Sequence, residues 1–178
     1  MKAIFRALMV FFVGECAFVH AADNRTLPNF SDYSVDVYHG TLKIPNYYKK
    51  VDGEWRDDWG KMVSPIGINF AGKYYIGTHS CGGGCRYYTL SNLVSGSESN
   101  ALDMFSNDER RSQKTSDGRN YVTSLVSQPN SKMLVAQYHI DRSAISEEEC
   151  RERIFYLSDD GKEVRPITKT VNFCDERH

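Results

Sequence analysis

NFAGKYYIGTHSCGGGCRYYTL, residues 69–90, decides the fold. Runs rich in tyrosine, isoleucine and threonine flank three consecutive glycines, and a cysteine stands at each end of the glycines. β-Branched and aromatic side chains suit a pleated strand, and glycine supplies the backbone angles of a tight reversal. The stretch predicts two antiparallel strands joined by a turn that a Cys81–Cys85 disulfide closes, with the tyrosines packing the sheet.

The same signal continues along the chain. Segments 72–80, 86–94, 101–105, 121–127, 132–140 and 153–157 read as strands. Between them stand turn clusters: SGSESN at 95–100, SDGRN at 116–120, QPNSK at 128–132 and SDDGK at 158–162. Short strands at this spacing predict a mostly β fold, a single antiparallel domain over 22–178 built as a sandwich or as propeller-like repeated hairpins. Segments 34–39 and 41–44 are expected to pair through Gly40. The polar, aromatic stretch 46–61 reads as a long surface loop with a turn at Asp52-Gly53.

One unit is used twice. Residues 72–79 (GKYYIGTH) align, 59 positions on, with 131–138 (SKMLVAQY), and each is followed by Cys-Arg (Cys85-Arg86, Cys150-Arg151) and a strand ending Leu-Ser (Leu90-Ser91, Leu157-Ser158). The connectors differ. The first is CGGGC; the second is 141–149, where Ser146 is placed to cap a short helical turn near 144–150 that carries Glu147, Glu148 and Glu149. That acidic cluster reads as a solvated turn that would speed encounter with a basic partner.

Residues 1–21 read as an export signal: Lys2 and Arg6 precede the apolar ALMVFFV run at 7–13, and the V-H-A sequence at 19–21 precedes a cleavage bond near Ala21, with Ala22 as the neighbouring option. Cys16 follows Glu15, which suits lipoprotein cleavage badly, so it is expected to leave with the signal. Removing residues 1–21 takes away Lys2, Arg6 and Glu15 and changes the net charge from -1 to -2. A charge so near zero makes no electrostatic case for nucleic acid, and no later apolar run is long enough for a membrane helix. Four cysteines then remain in a chain expected in the periplasm. Of the three possible pairings, Cys81–Cys85 with Cys150–Cys174 lets the close pair meet across the glycines and avoids a crossing.

Candidate chemistry is sparse. His79, Cys81 and Cys85, with His139 as a fourth group, form a possible metal set, but an oxidising compartment favours cysteine pairing. The C-x3-C spacing with no following helix argues against a redox site. No G-x-S-x-G or H-E-x-x-H occurs, and Asp57-Asp58, Asp108-Glu109 and Asp159-Asp160 are adjacent carboxylates in turns. The expectation is a protein without catalytic residues and without a cofactor. Tyr47, Tyr48, Trp55, Asp57, Asp58 and Trp59 are the candidate partner-binding residues, because aromatic rings mixed with charge suit interface centres. The competing reading has the two tryptophans closing one end of the core.

Residues 69–86 resemble a pattern of small exported bacterial proteins in which Asn-Phe-Ala-Gly-(His or Lys)-Tyr leads a strand into a Cys-Gly-x-x-Cys-type loop. Asn69 to Tyr74 match the lead and Cys81 to Cys85 the loop, with His79-Ser80 where a tryptophan is usual; the hairpin at 127–138 extends the likeness. The resemblance implies a β-rich periplasmic fold with no assigned catalytic residues. In overall form the chain is also similar to the periplasmic immunity proteins that accompany type VI secretion effectors, and to lysozyme inhibitors. That likeness implies a non-enzymatic binding protein whose partner is a peptidoglycan-targeting effector or lysozyme-like enzyme, with a metal-binding protein using His79, Cys81 and Cys85 as the alternative.

Overall fold

Strand pairing follows the glycine turn. The computed structural model describes residues 27–107 and 113–175; the expected signal with Cys16, and the pair Asp108-Glu109, lie outside the described residues. Within them, β1 (Lys49–Val51) and β2 (Glu54–Arg56) form a two-stranded sheet. A three-stranded sheet joins β3 (Tyr74–Gly82), β4 (Cys85–Asn92) and β5 (Ser97–Ser99) in that order. A four-stranded sheet joins β6 (Tyr121–Ser127), β7 (Met133–Ile140), β8 (Glu149–Leu157) and β9 (Val164–Pro166). All pairings are antiparallel, so the fold is mostly β as the alternating sequence predicts. At the β3–β4 reversal Gly82 and Gly84 have φ of +136° and +73°, which residues with a side chain rarely adopt.

The repeat is real in three dimensions. β3 starts at Tyr74 and β7 at Met133, and each leads a three-stranded meander, β3–β4–β5 and β7–β8–β9. Leu93 N–H donates to the Lys73 carbonyl at 2.9 Å, and Leu157 N–H donates to the Lys132 carbonyl at 2.9 Å. The residue equivalent to Leu157 is therefore Leu93, three positions beyond the Leu90 that sequence alignment selects. The longer connector after β7 accounts for the changed offset.

Alternation along the strands sorts the side chains into layers. Tyr74 and Ile76 of β3, Tyr88 and Leu90 of β4, Leu134 and Ala136 of β7, and Phe155 and Leu157 of β8 meet in one apolar cluster shared by the two larger sheets. Met133 and Val135 point the other way, onto Phe30 and Ile154. Tyr75, also pointing away from the shared cluster, packs with Tyr48, Val63 and Leu93, and half-buried Leu42, Tyr47, Trp55, Ile66 and Ile68 close over them. Segment 42–68 thus covers the outer face of the three-stranded sheet.

Several local expectations are corrected. Segment 101–105 is a turn with a 3-10 helix at Asp103–Phe105; a strand would send Leu102 and Phe105 to opposite faces, whereas both are buried in the shared cluster. Segments 34–39 and 41–44 do not pair with each other. Their backbone is taken by the two repeats instead: Val35 N–H donates to Asn130 O at 2.8 Å, Tyr38 N–H to Gly72 O at 2.7 Å and Lys43 N–H to Leu93 O at 2.7 Å. No helical turn forms near 144–150. Residues 144–146 bend, and Glu149 opposite Ile140 already belongs to the β7–β8 ladder. Glu149 also receives Arg119 Nη2 at 2.6 Å and Arg151 Nη2 at 2.8 Å, so it is paired rather than merely solvated. The expected turn 95–100 contains β5, and the Asp52-Gly53 turn is present, with φ of +51° and +88°, inside the β1–β2 hairpin.

Both expected disulfides form: Cys81–Cys85 with Cα atoms 5.1 Å apart and Cys150–Cys174 at 5.6 Å. The second fastens the C-terminal segment beside β8, where Glu152 and Val171 exchange backbone bonds of 2.8 and 2.9 Å. Loop-closure entropy predicts that replacing Cys81 and Cys85 by serine costs about 2 kcal/mol and replacing Cys150 and Cys174 about 3.5 kcal/mol. Denaturant unfolding of the two double variants checks the order; equal losses would refute it.

Candidate functional site

The face of β3–β4 that points away from the shared cluster carries Tyr75, Gly77 and His79 opposite Ser91, Thr89 and Tyr87. Segment 46–61 lies over this face, and the two meet in a buried polar network. Asp57 follows β2 in the turn D-D-W-G, which Gly60 at φ +71° allows. Asp57 N–H donates to Lys61 O and Gly60 N–H donates to Asp57 O, each at 2.9 Å. The Asp57 Oδ1 atom accepts the N–H groups of Trp59 at 3.0 Å and Lys61 at 2.9 Å. Its Oδ2 atom meets His79 Nδ1 at 2.9 Å.

His79 is 2 % exposed and Asp57 5 %. Burial raises the Asp57 carboxyl, but the His79 and backbone N–H bonds outweigh it and hold the group below its ordinary range. An ionised acceptor on that side keeps a proton on Nδ1, and Nε2 lies 3.1 Å from both Tyr48 Oη and Thr89 Oγ1. The two hydroxyls are 2.9 Å apart. Burial pushes the Tyr48 phenol far above its usual value, and burial followed by Tyr47 pushes Tyr75 up to about 12, so both remain neutral donors. The imidazole is stacked on Tyr87 at 4.6 Å and 8° and on Tyr48 at 5.8 Å and 15°.

Gly77 makes this packing possible. A Cβ there would collide with the Tyr48 hydroxyl and stand 2.6 Å from Thr89 Oγ1 and 2.9 Å from His79 Nε2. The glycine is a space requirement, since its φ is ordinary.

Above the network opens a recess of about 380 Å³ with His79 and Thr89 in its floor. Tyr47, Tyr87 and Trp59 supply aromatic surface, and Asp58, Glu98 and Asp103 supply charge. Trp59 is 78 % exposed. Glu98 sits at the end of a relay in which Tyr47 Oη and Ser91 Oγ are 3.2 Å apart and Ser91 donates to Glu98 Oε2 at 3.2 Å. Partial burial raises the Glu98 carboxyl, opposed by the Ser91 and Tyr47 hydroxyls and by His79. A larger groove of about 630 Å³ runs past both repeat lysines, but Lys132 is already paired with Asp159 at 2.5 Å.

A carboxylate, an imidazole and a hydroxyl in series is also the order of a nucleophile-activating relay. Here the imidazole is buried and stacked on Tyr87, and its Nε2 is shared by the Tyr48 and Thr89 hydroxyls. The bonds from Asp57 to His79 and to the backbone of Trp59 and Lys61 fasten the D-D-W-G turn to the sheet.

The structure divides the six candidate partner residues. Tyr48 and Asp57 are buried and position their neighbours; Trp55 packs half-buried against the cluster around Tyr75. Asp58 and Trp59 are exposed and Tyr47 is half-buried at the recess. Of the two tryptophans, one closes the core and one faces solvent. His79, Cys81 and Cys85 are not brought together as ligands: the cysteines are bonded to each other and His79 faces Asp57. His139 lies on β7, with Nδ1 3.7 Å from Cys150 Sγ. Sequence reasoning missed Thr89, Tyr87 and Glu98, and it missed that His79 pairs with Asp57. The available signal was the i, i+2 spacing of Tyr75, Gly77 and His79.

Compared with protein-family models, characterised protein sequences and solved structures, the chain finds no match.

Gly77→Ala is expected to cost about 1–3 kcal/mol by overpacking. Gly83→Ala, where an added Cβ meets nothing within 4 Å, should stay within about 0.5 kcal/mol. Urea unfolding compares them, and equal effects would contradict the assigned role of Gly77. Because the folded Asp57 pKa lies below its unfolded value, the stabilisation is full above about pH 5 and is lost as pH falls through the folded value. The stability gap between the wild type and Asp57→Asn should narrow below about pH 4; a gap unchanged into strong acid would refute the ionised lock.

Proposed function

We propose that the chain is an exported, periplasmic, non-enzymatic binding protein: an immunity protein or inhibitor that occludes a cell-wall-degrading enzyme, either a peptidoglycan-targeting effector or a lysozyme-like enzyme. The observation that carries this reading is Trp59, a 78 % exposed indole on a turn pinned by a buried carboxylate beside an open recess. Exposed aromatic rings on a preorganised support suit a binding hot spot, because little side-chain and loop freedom is left to lose on association.

Other features agree with it. Two disulfides fit an oxidising compartment. Among the described residues no helix is long and apolar enough to cross a membrane. The contact surface proposed is Tyr47, Asp58 and Trp59, with Tyr48, Trp55 and Asp57 holding it in place; the exposed glycine tip at 82–84 ends the β3–β4 hairpin that this segment covers.

The test is protection. Cells exporting this chain should survive periplasmic delivery of a peptidoglycan-degrading effector or lysozyme-like enzyme that it binds, and the two purified proteins should form a complex that lacks the enzyme's cell-wall-degrading activity. Trp59→Ala should weaken that complex by tenfold or more, about 1.4 kcal/mol, with unchanged thermal stability. No complex and no protection would end the reading.

A further inference from the structure

The binding reading leaves open what enters the recess, and the walls answer that chemically. Asp58, Glu98 and Asp103 bring carboxylates to a cavity that the rings of Tyr47, Tyr87 and Trp59 and the polar side chains of Ser99 and Asn100 also line, and no lysine or arginine side chain lines it among the described residues. Asp57, deeper in the floor, is already committed to His79 and two backbone N–H groups. Glu98 has the Ser91 hydroxyl as its neutral donor. The Tyr87 phenol feels the same field: burial first, then Asp57 and Asp58, raise it.

A partly desolvated carboxylate held by a hydroxyl is stabilised further by a cation, and aromatic faces attract a cation through the ring quadrupole. Guanidinium meets both demands at once, since it is planar, stacks on rings and is less strongly hydrated than ammonium. The volume, about 380 Å³, is in the range of sites that enclose a small ligand group. We propose that the recess is an arginine pocket, in which a guanidinium from the protein partner lies against Trp59 and Tyr87 and pairs with Glu98 and Asp58. This rests on the proposed binding function and names the partner's chemistry at that site.

The probe is acetyl-arginine amide, set against its neutral isostere acetyl-citrulline amide. Each is titrated into the full mature protein at low ionic strength, with the Trp59 indole N–H followed by NMR and assigned with Trp59→Phe. The arginine probe should shift the Trp59 signal saturably and bind about tenfold more tightly than the citrulline probe, with the difference shrinking as salt is added. Glu98→Gln and Asp58→Asn, both on exposed residues, should each reduce that preference several-fold at unchanged melting temperature. Equal binding of both probes, a Trp59 signal unmoved by about 50 mM arginine probe, or a preference untouched by both substitutions would overturn the proposal. If the pocket fails while protection and complex formation stand, occlusion survives without an arginine. Arginine binding without protection would leave the pocket and remove the occlusion reading.

Discussion

The bond of 2.9 Å between Asp57 and His79 ties two parts of the chain that the local sequence does not link. His79 belongs to the central hairpin, and Asp57 belongs to a turn 22 residues earlier. Both are almost fully buried, so either one left alone would face a desolvation cost that pairing offsets. The second carboxylate oxygen organises the turn through two backbone N–H groups, and the far ring nitrogen meets Tyr48 and Thr89. One carboxylate therefore shapes the loop, orients the imidazole and sets where Trp59 emerges.

The fold around that bond follows from strand alternation. The same hairpin that sends Tyr74, Ile76, Tyr88 and Leu90 into the shared core sends Tyr75, His79 and Thr89 to the opposite face. A one-residue slip would exchange the two sets and destroy both core and site together. Gly77 extends the constraint to side-chain volume, since the missing Cβ is where the Tyr48 hydroxyl sits.

Much of this was legible in the sequence. The strand runs, the Cys81–Cys85 and Cys150–Cys174 pairs and the duplicated hairpin are local patterns, and local patterns survive folding. Leu102 and Phe105 were misread as strand because their shared burial depends on a cluster assembled from other strands. Ser146 and the glutamates after it were misread as a helical turn because the β7–β8 ladder claims Glu149 first. Segment 34–44 looked like a hairpin, yet its backbone groups are bonded to both repeats. The site was harder still. The loop was identified by composition, but its division into buried Asp57 and Tyr48 and exposed Asp58 and Trp59 depends on which face of a remote sheet it covers.

The buried lock holds the D-D-W-G turn in place, and the proposed binding role of Trp59 depends on it. Amide hydrogen exchange at Trp59 and Lys61, compared between the wild type and His79→Gln, tests it most directly. The account predicts strong protection of both amides in the wild type and a drop of about tenfold or more in the variant, with core amides of β7 unchanged. Rapid exchange at Trp59 and Lys61 already in the wild type would contradict it.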